Sequence, residues 1–180
     1  MSGTPEFSCS ETLRNGLAVT IRTLRPDDRA RVAAAVKELN RESVYTRLFS
    51  YKKELTETGL KRIMAVDPER EVALLVTRGV GPKEIAIASG RYVADPRDTG
   101  ATAEVAFVVE EDYQRLGIAS RLLRHLADIA RQRGVIAFEA DVLPENTSMI
   151  AVFARSGLPM RQRREGGVVH VTMSLKPAAG

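Results

Sequence analysis

A mixed α/β (α+β) domain is what this 180-residue chain predicts, on three observations. Short apolar runs bounded by Gly, Pro and Asp recur at strand length. Other stretches carry apolar residues at helical spacing. Between 103 and 133 a strand passes through a polar turn directly into an amphipathic helix. With 44% apolar residues the chain is long enough for one buried core. Residues 1–14, which begin MSGTPEF, are expected to be a disordered end or a tag scar, and 15–180 a single domain.

The elements follow in order. Leu17 to Leu24 alternates as a strand should. Arg25-Pro26-Asp27-Asp28 then opens a helix running to Asn40, with proline in its first turn and two acids opposing the positive end of the helix dipole. Glu42 to Tyr51 and Thr56 to Val66 read as short helices. Glu71 to Thr77 and Ile85 to Val93 are strands joined by a Gly-Pro turn, and Ala103 to Val109 is their antiparallel partner. Ile118, Leu122, Leu123, Leu126, Ile129 and Ala130 stripe one helix face, which Gly134 ends. Val135 to Val142 is a strand and Asn146 to Gly157 a helix. Met160 to Glu165 and Val168 to Leu175 form a hairpin through Gly166-Gly167, with Arg161, Arg163 and Arg164 as a basic, solvated edge.

Charge and composition exclude more than they select. Twenty-seven Lys and Arg against 23 Asp and Glu leave a net charge of +4, which suits a polyanionic cofactor, an acidic protein surface or nucleic acid alike. Cys9 is the only cysteine, so no intramolecular disulfide forms; with only His125 and His170 besides, no metal site is expected. No run of eighteen apolar residues and no charged leader with an apolar core occur, so a soluble, cytoplasmic protein without a membrane partner is expected.

The chemistry concentrates where strand meets helix. Gln114-Arg115-Leu116-Gly117-Ile118-Ala119-Ser120 is a Q-x-x-G-x-A turn at a helix N-terminus. There successive N–H groups and the helix dipole favour phosphate oxygens, and Gly117 lets the backbone approach an anion. An ordinary strand-to-helix turn is the alternative. The turn lacks the extra glycines of a dinucleotide fingerprint and the Gly-Lys-Ser/Thr of a P-loop. Upstream, Glu104 is an isolated acid on the strand face it shares with Ala106 and Val108, where desolvation would raise its pKa; a surface glutamate is the alternative. Glu110, Glu111 and Asp112 are assigned to solvent, and Arg121 and Arg124 either to the solvated helix face or to an anion at this turn. His125 lacks a partner at i, i+4 and reads as packed or surface.

This turn after an apolar strand resembles the acetyl-CoA pyrophosphate loop of the GNAT family of N-acetyltransferases. The likeness extends over nearly all the chain. Glu42 to Ser50, Ala103-Glu-Val-Ala-Phe107 and Pro144 to Gly157 look most like the acetyltransferase domain of bacterial protein lysine acetyltransferases acting on acyl-CoA synthetases. The resemblance implies a central, mostly antiparallel mixed sheet with flanking helices, splayed around acetyl-CoA. It implies phosphate contacts from Gln114, Arg115, Leu116, Gly117, Ile118, Ala119 and Ser120. Main-chain contacts to the pantetheine arm would come from Phe107, Val108 and Val109, with a further contact from Asn146, also a good helix N-cap. Glu104 would be the general base, with Asp141 a lesser competitor. Tyr45, Arg47, Phe49 and Tyr51 are candidate acceptor contacts, the alternative being that alternate members are core and the rest surface. Where many members carry a tyrosine that protonates the departing thiolate, this chain has Phe153, which leaves the general acid unassigned and inactivity a competing explanation. The acceptor implied is a protein lysine, with a small amine as the rival. A non-catalytic module that senses acetyl-CoA or binds nucleic acid is a third reading. Nucleic acid is disfavoured because no aromatics interleave the basic stretches.

Overall fold

The computed structural model describes residues 6–38, 57–99 and 101–176. Within them the strands are β1 (Ser8–Thr12), β2 (Ala18–Thr23), β3 (Glu71–Arg78), β4 (Ile85–Ala94), β5 (Thr102–Val109), β6 (Ala137–Val142), β7 (Met160–Glu165) and β8 (Val168–Ser174). The helices are α1 (Arg29–Glu38), α2 (Glu57–Met64), α3 (Ile118–Gln132) and α4 (Thr147–Ala154). One sheet runs β1-β2-β3-β4-β5-β6-β8-β7, antiparallel throughout except for β5 and β6. The mostly antiparallel α+β architecture is therefore as expected. The candidate acceptor residues Tyr45, Arg47, Phe49 and Tyr51, and the helix expected at 42–51, lie outside the described residues.

The parallel pair shapes the molecule. Only Thr102, Ala103 and Glu104 of β5 pair with β6, opposite Ala137, Phe138 and Glu139. Beyond Glu104, β5 continues beside β4 alone while β6 continues beside β8, so the sheet splays. The crossover helix α3 covers one face, burying Leu122, Leu126 and Ala130 completely against Val72, Leu74, Tyr92 and Phe107. That amphipathic match follows from the 3.6-residue stripe of α3 meeting the period-2 alternation of the strands. Gly90 of β4 leaves room for the Phe107 ring, since a Cβ there would lie 2.9 Å from it.

The opposite face carries α1 and α2 above a cavity of about 530 Å³, whose lining includes Val32, Ile63, Ala73, Ala86, Ala106 and Val108. Two expectations change here. The expected disordered end is in part ordered: Ser8–Thr12 pairs with β2, and Leu13 beyond it is buried. A polar S-C-S-E-T run hides the strand, yet Asn15-Gly16, with Gly16 at φ 83°, is a hairpin signal. Asp28, expected beside a helix terminus as a dipole partner, is fully buried instead. Pro26–Asp28 forms a 3₁₀ turn before α1, and Asp28 takes a bidentate pair from Arg22 at 2.7 and 2.8 Å.

Candidate active site

Hydrogen-bond alternation along β5 decides which residues face the splay. Thr102 O accepts from Asp95 and Glu110 N donates to Ile87, so the even-numbered main-chain groups turn toward β4. Ala101 O accepts from Ile136, so the odd-numbered groups turn toward β6. Past Glu104, where β6 departs, the main chains of Val105, Phe107 and Val109 face the gap. Of the three expected pantetheine contacts, Phe107 and Val109 fit this geometry. Val108 pairs with Ser89 instead and contributes only its side chain to the cavity wall. Gln114 Nε2 donates to Val109 O at 3.2 Å, which ties the turn to the end of the strand. The glutamine is thus a brace within the protein rather than a free arm.

The turn itself has the geometry of an anion cradle. Arg115 at φ 66° and Gly117 at φ 85° are both left-handed, with Leu116 between them. Gly117 is the N-cap of α3 and no side chain caps the helix, so the first N–H groups, on Ile118, Ala119 and Ser120, have no partner within it. The residues present fit the diphosphate of acetyl-CoA.

Glu104 sits at the fork of the sheet. Its side chain reaches solvent, and surrounding protein desolvates it enough to raise its pKa above the ordinary glutamate value. The charges of Asp141 and Glu139 push the same way, and His170 opposes them. Glu139 is its neighbour in register on β6, and Asp141 lies on the same face, 2.6 Å from His170 Nδ1. Asp141 is therefore engaged with a histidine, whereas Glu104 has carboxylates as neighbours. A group in this setting holds a proton more readily than a free glutamate does.

The other expected residues fall out as follows. Asn146 is buried and its Oδ1 accepts from Met149 N at 3.2 Å, so the helix cap is formed. Phe153 is buried against Phe107, with ring centroids 6.1 Å apart. Glu110, assigned to solvent, is half-buried and borders the cavity, because the chain turns back toward Ile87 there. Arg121 and Arg124 do not project freely. Both bind Glu11 of β1, at 3.4 and 2.7 Å, and Arg121 also donates to Thr12 O. His125 is a packed histidine, 4.9 Å from the Phe7 ring, 3.3 Å from Glu11 Oε2 and 3.7 Å from Cys9 Sγ. Cys9, Glu11 and His125 bring potential metal donors within 4.8 Å of one another. Glu11 is already paired with two arginines, and burial followed by the Glu11 charge pushes the Cys9 thiol up, away from the thiolate a metal binds. The trio is an ion-pair network that fastens β1 to α3. Sequence spacing missed it because Glu11 and Arg124 are 113 residues apart.

Comparisons with known proteins agree with this geometry. The family model described as "Acetyltransferase (GNAT) family" matches residues 35–158. Acetyltransferase Pat of Mycolicibacterium smegmatis is 32% identical over 166 residues, which is 92% of this chain and 48% of Pat. Acetyltransferase PA5475 of Pseudomonas aeruginosa is 32% identical over 126 residues, 69% of this chain and 66% of that protein. The chain thus spans about half the length of the first relative and 66% of the second. The crystal structure of the GNAT domain of S. lividans PAT superposes with a TM-score of 0.82 at 32% identity, covering 93% of this chain and 96% of that one. An apolar strand that forks from its neighbour, an uncapped helix turn and these likenesses converge: the chain belongs to the GNAT family of acetyltransferases, whose acyl donor is acetyl-CoA.

Proposed function

We propose that this domain transfers the acetyl group of acetyl-CoA to the side-chain amine of a protein lysine, with Glu104 as the general base. The observation that carries the reading is the position of Glu104: it lies at the fork of β5 and β6, with a raised pKa, on the strand that leads into the Gln114–Ser120 turn. The turn would hold the diphosphate through its N–H groups, and the main chains of Phe107 and Val109 the pantetheine arm. The carboxylates of Glu104, Glu139 and Asp141 favour a cationic acceptor. Glu104 takes a proton from the ammonium, the free amine attacks the thioester carbonyl, and coenzyme A leaves as the thiolate or its protonated form. Because Phe153 has no proton to give, leaving-group protonation falls to solvent. Cys9 lies on the edge strand β1, beside His125 and away from the β5–β6 fork in strand order, so no acyl-enzyme is invoked.

A protein acceptor is supported by likeness to the Pat acetyltransferases, and an acyl-CoA synthetase is the substrate class to try first, in the cytoplasm. The second reading, a small amine, is favoured by the cavity beside Ala106 and Val108. Incubation with an acyl-CoA synthetase and, separately, with polyamines and amino acids distinguishes the two by product mass. Glu104→Gln should retain acetyl-CoA binding and lose at least about a hundredfold in kcat. A variant with unimpaired turnover removes Glu104 from the mechanism.

A further inference from the structure

Arg14 was singled out by no motif, and the fold carries it to the cofactor turn. It lies in the tight loop joining β1 to β2, whose ends are closed by Leu13 N donating to Leu17 O at 2.9 Å. Leu13 is buried and anchors the loop, and Arg14, the next residue, is exposed. The hairpin is fastened to α3 by Arg124 and Arg121 on Glu11 and by Arg121 on Thr12 O. The result is a guanidinium lying against Gly117: a methyl group placed on that glycine would be 3.7 Å from Arg14 Nε and 4.0 Å from Nη2. Among the described residues no carboxylate or carbonyl accepts a hydrogen bond from Arg14. By contrast, α3's own arginines nearest this end are held by β1.

We infer that Arg14 is a specificity-determining residue for the acyl donor, pairing with phosphate of the coenzyme A nucleotide at the Gly117 turn. The inference rests on the acetyl-CoA reading above and extends it to a segment outside the strand–turn–helix unit. Three features support it. A guanidinium presents a planar set of donors suited to phosphate. Its loop is pinned at both ends, so little ordering is lost on binding. The helix turn supplies main-chain donors and only partial charge, whereas the diphosphate and 3′-phosphate of coenzyme A carry several negative charges. β1 and its ion pairs then act as the bracket that positions Arg14.

Calorimetric titration with three donors of decreasing phosphate content tests this: acetyl-CoA, its 3′-dephospho form, and S-acetylpantetheine, which has none. Arg14→Ala should weaken acetyl-CoA about tenfold, equal to about 1.4 kcal/mol, with partial recovery in Arg14→Lys and no change for S-acetylpantetheine. A loss that persists with the dephospho form assigns the contact to the diphosphate; a loss that vanishes assigns it to the 3′-phosphate. Wild-type affinity in Arg14→Ala, or an equal loss with S-acetylpantetheine, overturns the inference while leaving the acetyl-CoA reading intact. A natural sequence that binds none of the three overturns both. Because Arg14 is exposed, its variants should melt with the wild type, which separates a lost contact from a lost fold.

Discussion

Replacing Asp28 by Asn tests whether the buried ion pair at the start of α1 holds the cavity side of the domain together. Asp28 has no exposed surface and the Arg22 side chain is 5% exposed. Arg22 donates to both oxygens of Asp28, and to Glu84 at 3.1 Å; Asp28 also accepts from Arg25 N at 2.7 Å and Arg31 Nη1 at 3.1 Å. The substitution turns an amide NH₂ toward a guanidinium and leaves the arginine charge only Glu84. Breaking one partner of a buried pair costs about 3–5 kcal/mol, and the remaining Glu84 places this case near the lower end. For a chain of this size about 3 kcal/mol lowers Tm by roughly 6–12 °C, read by circular dichroism. The effect should shrink in acid. Burial alone would raise the Asp28 pKa, but its hydrogen bonds to Arg22 and Arg25 outweigh burial and lower it. That stabilisation is present above the ordinary aspartate pKa and is lost as pH falls through the depressed native value, so the two melting curves converge. A Tm within about 2 °C of wild type at neutral pH refutes the reasoning.

Two further outcomes follow from the site. Glu139→Gln removes one of the negative charges that raise the Glu104 pKa, so the acidic limb of the kcat profile should move to lower pH; an unmoved or upward-moving limb contradicts that coupling. Gly117→Glu forces a side chain into a left-handed backbone at φ 85° and brings a carboxylate to the phosphate turn. Calorimetry should show acetyl-CoA binding weakened at least about a hundredfold, and retained affinity argues against the turn as the phosphate site.

Most strands were readable because their cores are strongly patterned: the Glu71–Thr77 and Ile85–Val93 runs lie within β3 and β4, and the stripe on 118–130 is the buried face of α3. The turn was readable because a glycine with left-handed φ has few substitutes. What the linear pattern hid are contacts between distant segments. Ser8–Thr12 carries no apolar stripe, and its order comes from pairing with β2 and from the ion pairs of Glu11 with Arg121 and Arg124. Asp28 reads as a helix-start acid until Arg22, six residues back on β2, is seen to hold it from below. Val108 was grouped with Phe107 and Val109 because proximity along a strand conceals the alternation that turns its amide away from the gap.

The fork between β5 and β6 gives an interior strand a free rim. Such rims usually invite another chain to add itself as a strand. Here β6 leaves the pairing after Glu104, and Gln114 of the turn before α3 braces the far end of β5 at Val109. What is offered along that rim is backbone N–H and C=O, a pair that every residue except proline carries. The side chains at 107 and 109 are turned into the core, so packing rather than the opening constrains them.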